Sequence, residues 1–184
     1  MSNSQIDPKI LFNQAIVQKK NKDYLASIDT FNKITKIEPN IYEVFFNLGN
    51  IFFELRIFDK SILNFKKAIN IYKFDPEVYT NLANAFIEKK MYPDAQESLK
   101  KAFNLSPNDF KISNTAGMLN IAMEKYTDAK NAFEYSLTLD KDNHLALTQI
   151  GAIFLRAGDY QNGLSYIYKA SGRIILCNEI ELVC

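Results

Sequence analysis

Asparagine is the residue whose type and spacing could do chemistry in this chain. Val44–Phe53 reads VFFNLGNIFF and Val78–Ile87 reads VYTNLANAFI, and the two stretches lie 34 residues apart. They superimpose Asn47 on Asn81 and Asn50 on Asn84. Residues three apart on a helix share a face, so each stretch would present two carboxamides one turn apart. A carboxamide offers an acceptor and two donors. Repeated at a fixed interval, it can pair with both the N–H and the C=O of an extended peptide, whatever the side chains. That is the chemistry of binding rather than of bond breaking.

Other candidates are sparse. His144 is the single histidine and sits beside Asp142 and Asn143; it reads as a surface turn residue rather than a ligand or base. Cys177 and Cys184 form no CxxC or metal-ligand spacing. On a helix they would stand roughly 10 Å apart, too far for a disulfide, and they read as reduced thiols of a cytoplasmic protein. No phosphate-binding loop, nucleophile elbow or HExxH is present. Carboxylates such as Asp128 and Glu134 fall on exposed faces. The reading is a non-enzyme with no cofactor and no metal.

Composition agrees with a binding module. Apolar residues are 47% and charged residues 23%, which suits an ordered chain. A net charge of +1 gives no field toward nucleic acid or anionic membrane. Lysine pairs such as Lys66-Lys67 and Lys100-Lys101 are scattered among acids and read as solvated helix faces. The start, MSNSQID, has no apolar core of a secretory signal. The uncharged run His144–Leu155 is too short to span a bilayer.

The elements that must position the asparagines follow from the same 34-residue ruler. Units starting at Pro8, Tyr42, Pro76, Phe110 and His144 fit without an insertion. The eighth position is small throughout: Ala15, Gly49, Ala83, Gly117, Gly151. So is the twentieth: Ser27, Ser61, Ala95, Ala129, Gly163. The seventeenth is aromatic: Tyr24, Phe58, Tyr92, Tyr126, Tyr160. The twenty-fourth is large: Phe31, Phe65, Leu99, Phe133, Ile167. Small residues let two helix backbones approach, and large ones fill the space between hairpins. Within a unit the apolar spacing is helical, as in Phe45, Leu48 and Phe52. Asp7-Pro8 and Asp75-Pro76 read as an N-cap followed by proline at the first helical position. Each unit should be two antiparallel helices, over positions 1–14 and 15–30.

This pattern resembles the tetratricopeptide repeat, with its period, small residues at eight and twenty, aromatic at seventeen and proline near the unit end at Pro39 and Pro107. The resemblance implies an all-α, right-handed superhelical solenoid of about five helix-turn-helix units. The expected division is a tail at 1–7, repeats at 8–41, 42–75, 76–109, 110–143 and 144–177, and the end of an apolar segment at 178–184. Some family positions are lost: the aromatic at four becomes Ser113, and the late proline becomes Lys73, Lys141 or Ile175.

In this family the first helices line a concave groove, and ligands contact positions two, five, six, nine, twelve and thirteen. Position six holds Asn13, Asn47 and Asn81, and position nine holds Asn50 and Asn84. These asparagines should form a ladder, similar to that in the tetratricopeptide domain of O-linked N-acetylglucosamine transferase. The bland alternative is that they are consensus residues meeting only water and neighbouring helices. The clamp by which chaperone-binding members hold a carboxylate tail is broken. Position five is Phe12, Phe46, Thr80, Asn114 and Thr148, and Glu43 and Glu77 stand between Lys9 and Lys111 at position two. Phe46 and Phe53 should point inward near Tyr42 as an apolar pocket, with Phe53 as a core residue the alternative.

The function implied is a non-catalytic scaffold binding an extended segment of a protein partner. Two alternatives stand beside it. One is self-assembly into a homo-oligomer through the apolar residues 173–184. The other is a targeting domain separated from a repeat-containing transferase or hydroxylase.

Overall fold

The structure, a computed structural model, describes residues 7–171. Residues 173–184, with both cysteines and the proposed adhesive end, lie outside the described residues. Among the described residues every regular element is an α-helix. The chain divides into two compact units, Met1–Pro107 and Asn108–Cys184. In the first, α1 (Pro8–Lys20), α3 (Tyr42–Glu54) and α5 (Pro76–Glu88) alternate with α2 (Tyr24–Ile37), α4 (Phe58–Ile71) and α6 (Tyr92–Leu105). In the second, α7 (Phe110–Ala122) pairs with α8 (Tyr126–Leu139), and α9 (His144–Arg156) with α10 (Tyr160–Ser171). Consecutive helices pack as pairs, and in the first unit α2 also meets α3 and α4 meets α5.

Local chemistry starts these helices. The Asp7 carboxylate accepts from Lys9 N–H at 2.8 Å, and that of Asp75 accepts from Glu77 N–H at 2.8 Å. Each satisfies one of the orphan donors of a first turn. Pro8 and Pro76 follow their caps, where a missing N–H costs nothing.

The helices end earlier and restart later than the 1–14 and 15–30 expectation. In the second repeat, Leu55, Arg56 and Ile57 form the turn. Arg56 is left-handed at φ 57°, and Ile57 N–H reaches back to the Phe52 carbonyl at 2.8 Å. That closure satisfies carbonyls the helix end would leave open. The same left-handed position recurs at Lys22, Lys90, Glu124 and Gly158.

The size classes have visible causes. Gly49 lies so close to α4 that a Cβ there would stand 2.5 Å from the Phe65 ring. The Ser61 hydroxyl donates to the Gly49 carbonyl at 2.9 Å, and Ser27 to the Ala15 carbonyl at 2.8 Å. Close approach therefore explains the serines as well as the glycine. Phe31, Phe65 and Phe133 are fully buried, each contributing about 1.5–3 kcal/mol. In the first unit Phe31 belongs to a core with Leu11, Ile34, Val44, Leu48 and Ile51. In the second, Phe133 packs with Ala129, Ala146 and Ile150. No helix of the described residues is long and apolar enough to cross a membrane.

Candidate functional site

Helical spacing puts Asn47 and Asn50 one turn apart on α3, and Asn81 and Asn84 one turn apart on α5. Packing within the first unit then brings α1, α3 and α5 around one cleft of about 350 Å³. Its lining is Asn50, Phe53 and Glu54 from α3, Glu77, Asn81 and Asn84 from α5, and Lys19 from the end of α1.

The carboxamides are partly engaged with one another. Asn81 Nδ2 donates to Asn50 Oδ1 at 3.0 Å. Lys19 Nζ donates to Asn47 Oδ1 at 2.8 Å. Asn47 Nδ2 donates to the Glu43 carbonyl of its own helix at 2.8 Å. Asn47 thus has both its groups in use. Asn50 Nδ2, Asn81 Oδ1 and the whole Asn84 carboxamide have no partner among the described residues. The cleft therefore holds at least two donors and two acceptors whose alternative partner is water or a ligand.

Three of the anticipated site residues fall elsewhere. Asn13 is exposed on α1 and does not line the cleft. Phe46 stacks on Tyr42 with ring centroids 5.9 Å apart and leans on Phe65 at 6.2 Å. It follows Tyr42 by one turn, and the Tyr42 hydroxyl is held by the Asp75 carboxylate, so both rings serve the α3–α4–α5 junction. Asn47 stands beside the cleft, tied to Lys19. Phe53 does line the cleft, its ring meeting Phe58 edge-on at 5.6 Å.

Lys19, Glu54 and Glu77 were not among the candidates read from the sequence. They occupy positions twelve, thirteen and two of their units, all within the groove set of the family. Their charge at those positions was the available signal. Burial pulls the Lys19 ammonium below its ordinary pKa, and the carboxylates of Glu54 and Glu77 partly restore it. Burial, then the hydrogen bond to Asp75, pushes the Tyr42 phenol above its ordinary range.

The second unit is built differently at the matching positions, which hold Thr115, Met118, Gln149 and Ala152. A His144 ring nitrogen meets the Ala170 carbonyl, joining the start of α9 to the end of α10. Buried Asn143 caps α9 and donates to Asn114 Oδ1 at 3.1 Å and Ser136 Oγ at 2.8 Å. These groups serve the packing of α7–α10. Among the described residues no group of three or more His, Cys, Asp or Glu is placed to hold a metal ion.

Residues 42–75 and 76–109, the segments that carry the cleft's three asparagines, match the family described as Tetratricopeptide repeat. These two segments are thus matched as repeats of that family. No curated protein matches it significantly. Solved structures with the same fold include MamA from Desulfovibrio magneticus RS-1, 14% identical, over 90% of this chain and 93% of that one, with a TM-score of 0.77. PilF of Pseudomonas aeruginosa is 17% identical over 90% of this chain and 75% of that one, with a TM-score of 0.78. YrrB, described as a TPR protein with an unusual peptide-binding site, is 15% identical over 92% and 87%, with a TM-score of 0.68. At these identities the likeness is one of fold.

Proposed function

We propose that this chain is a non-catalytic interaction scaffold that holds an extended segment of a protein partner in the cleft of its first unit. The observation that carries the reading is the set of unpaired carboxamide groups on Asn50, Asn81 and Asn84 around one cavity. Asn50 Nδ2 suits a main-chain carbonyl, Asn81 Oδ1 suits a main-chain N–H, and Asn84 can serve either. Phe53 offers the one aromatic surface of the lining, where a partner side chain can rest. The family, and the peptide-binding site named for YrrB, support a peptide as the occupant.

Short random peptides displayed on phage test this directly. Peptides selected on the full chain should bind the Asn81→Ala/Asn84→Ala variant about tenfold or more weakly, as expected for two or three lost hydrogen bonds. Equal binding of the selected peptides to both proteins would sink the reading. The Asn84 side chain makes no hydrogen bond within the described residues, so Asn84→Ala alone should keep the melting temperature and serve as the folding control.

A further inference from the structure

We infer that the occupant of the first unit's cleft presents a lysine or arginine side chain between Glu54 and Glu77, with its alkyl stem on Phe53. The inference rests on the peptide-binding reading above and adds the chemistry of the partner.

The lining carries two carboxylates and one ammonium. Lys19 does not neutralise the acids by direct contact: it makes no ion pair with either and instead donates to Asn47 Oδ1 at 2.8 Å. The Glu54 and Glu77 carboxylates have neither an ion-pair nor a hydrogen-bond partner among the described residues. Nearby acids are used differently. Glu88 pairs with Arg56 at 3.1 Å and Asp59 with Lys89 at 2.9 Å. In the cleft, two carboxylates thus remain without a direct partner beside an aromatic ring.

Each candidate side chain meets a different balance. A cation approaching Phe53 gains from the ring face and from both carboxylates. An acidic side chain meets two like charges against one ammonium, Lys19, whereas a basic one meets two opposite charges against that one like charge. An apolar side chain covers Phe53 but leaves the carboxylates partly desolvated and unpaired, which costs free energy. Charge complementarity therefore selects a basic segment.

The probes are three capped glycine–alanine peptides identical except for one central arginine, norleucine or glutamate. Each is titrated into the full isotopically labelled chain while the side-chain amide signals of Asn50, Asn81 and Asn84 are followed. The arginine peptide should bind about tenfold tighter than the norleucine peptide, and the glutamate peptide weakest. Glu54→Gln/Glu77→Gln should erase that preference, whereas Asn81→Ala/Asn84→Ala should weaken all three alike. Equal binding of arginine and norleucine peptides, with the asparagine variant weakening both, overturns the basic-partner inference and leaves the main-chain reading standing. No shift with any of the three overturns both.

Discussion

Lys19 Nζ donates to Asn47 Oδ1 at 2.8 Å, joining the last turn of α1 to α3 across 28 residues of chain. The bond changes the meaning of both residues. Asn47 occupies the sixth position of its repeat, and its carboxamide is spent on Lys19 and on the Glu43 carbonyl. Lys19 in turn becomes a wall of the cleft and sets its charge balance.

Desolvation of Lys19 should be visible as a pH dependence of stability. Burial lowers its pKa below 10.5, the largest cause, and Glu54 and Glu77 offset this less. The unfolded chain then binds that proton more tightly than the folded one, so folding gains stability as pH rises from the lowered value toward 10.5. Lys19→Met removes this group and its gain. Urea unfolding at neutral pH and again near 10.5 should show wild type improving relative to Lys19→Met, with titrations common to both proteins cancelling. An unchanged difference would mean that Lys19 is not desolvated in the fold.

Gly49→Ala should destabilise the first unit. A Cβ at Gly49 would stand 2.5 Å from two ring atoms of Phe65, which is fully buried. Overpacking of this kind costs about 1–3 kcal/mol, and better helix propensity returns up to about 1 kcal/mol. The expected outcome is a net loss of about 1–2 kcal/mol in denaturant unfolding. A neutral result would show that α3 and α4 separate freely.

Lys90→Gly should act in the opposite direction. Lys90 is exposed at φ 58°, a conformation that costs a residue with a Cβ about 1–2 kcal/mol. Glycine removes that strain but costs about 0.5–1 kcal/mol in backbone entropy. The melting temperature should rise by about 2–4 °C. A fall would mean that the Lys90 side chain holds the α5–α6 turn.

The repeat was legible because close packing leaves its mark on single residues. Gly49 is glycine because a ring lies against it, and Ser61 is small and polar because it reaches the Gly49 carbonyl. Such constraints recur at one period, so the chain alone announces all-α helix pairs. The shared face of Asn81 and Asn84 was equally legible, since a helix decides it within one turn. The exact turn was less so. Arg56, Lys90 and Glu124 adopt left-handed backbone without the glycine that usually signals it.

The cleft's content was decided by the tertiary structure. A helix face can be read from spacing, but the end of a long side chain goes where its neighbours allow. Phe46 shares its helix with Phe53, yet it turns to Tyr42 and Phe65 while Phe53 meets the cleft. Lys19, Glu54 and Glu77 stand on three different helices and converge only when those helices pack. The amino-acid sequence by itself determined the repeats and the asparagine pairs, because both depend on local geometry and contacts repeated at one spacing. Which carboxamides stay open, and which charges face them, required the folded first unit, because hydrogen bonds and charge balance between helices exist only once those helices are side by side.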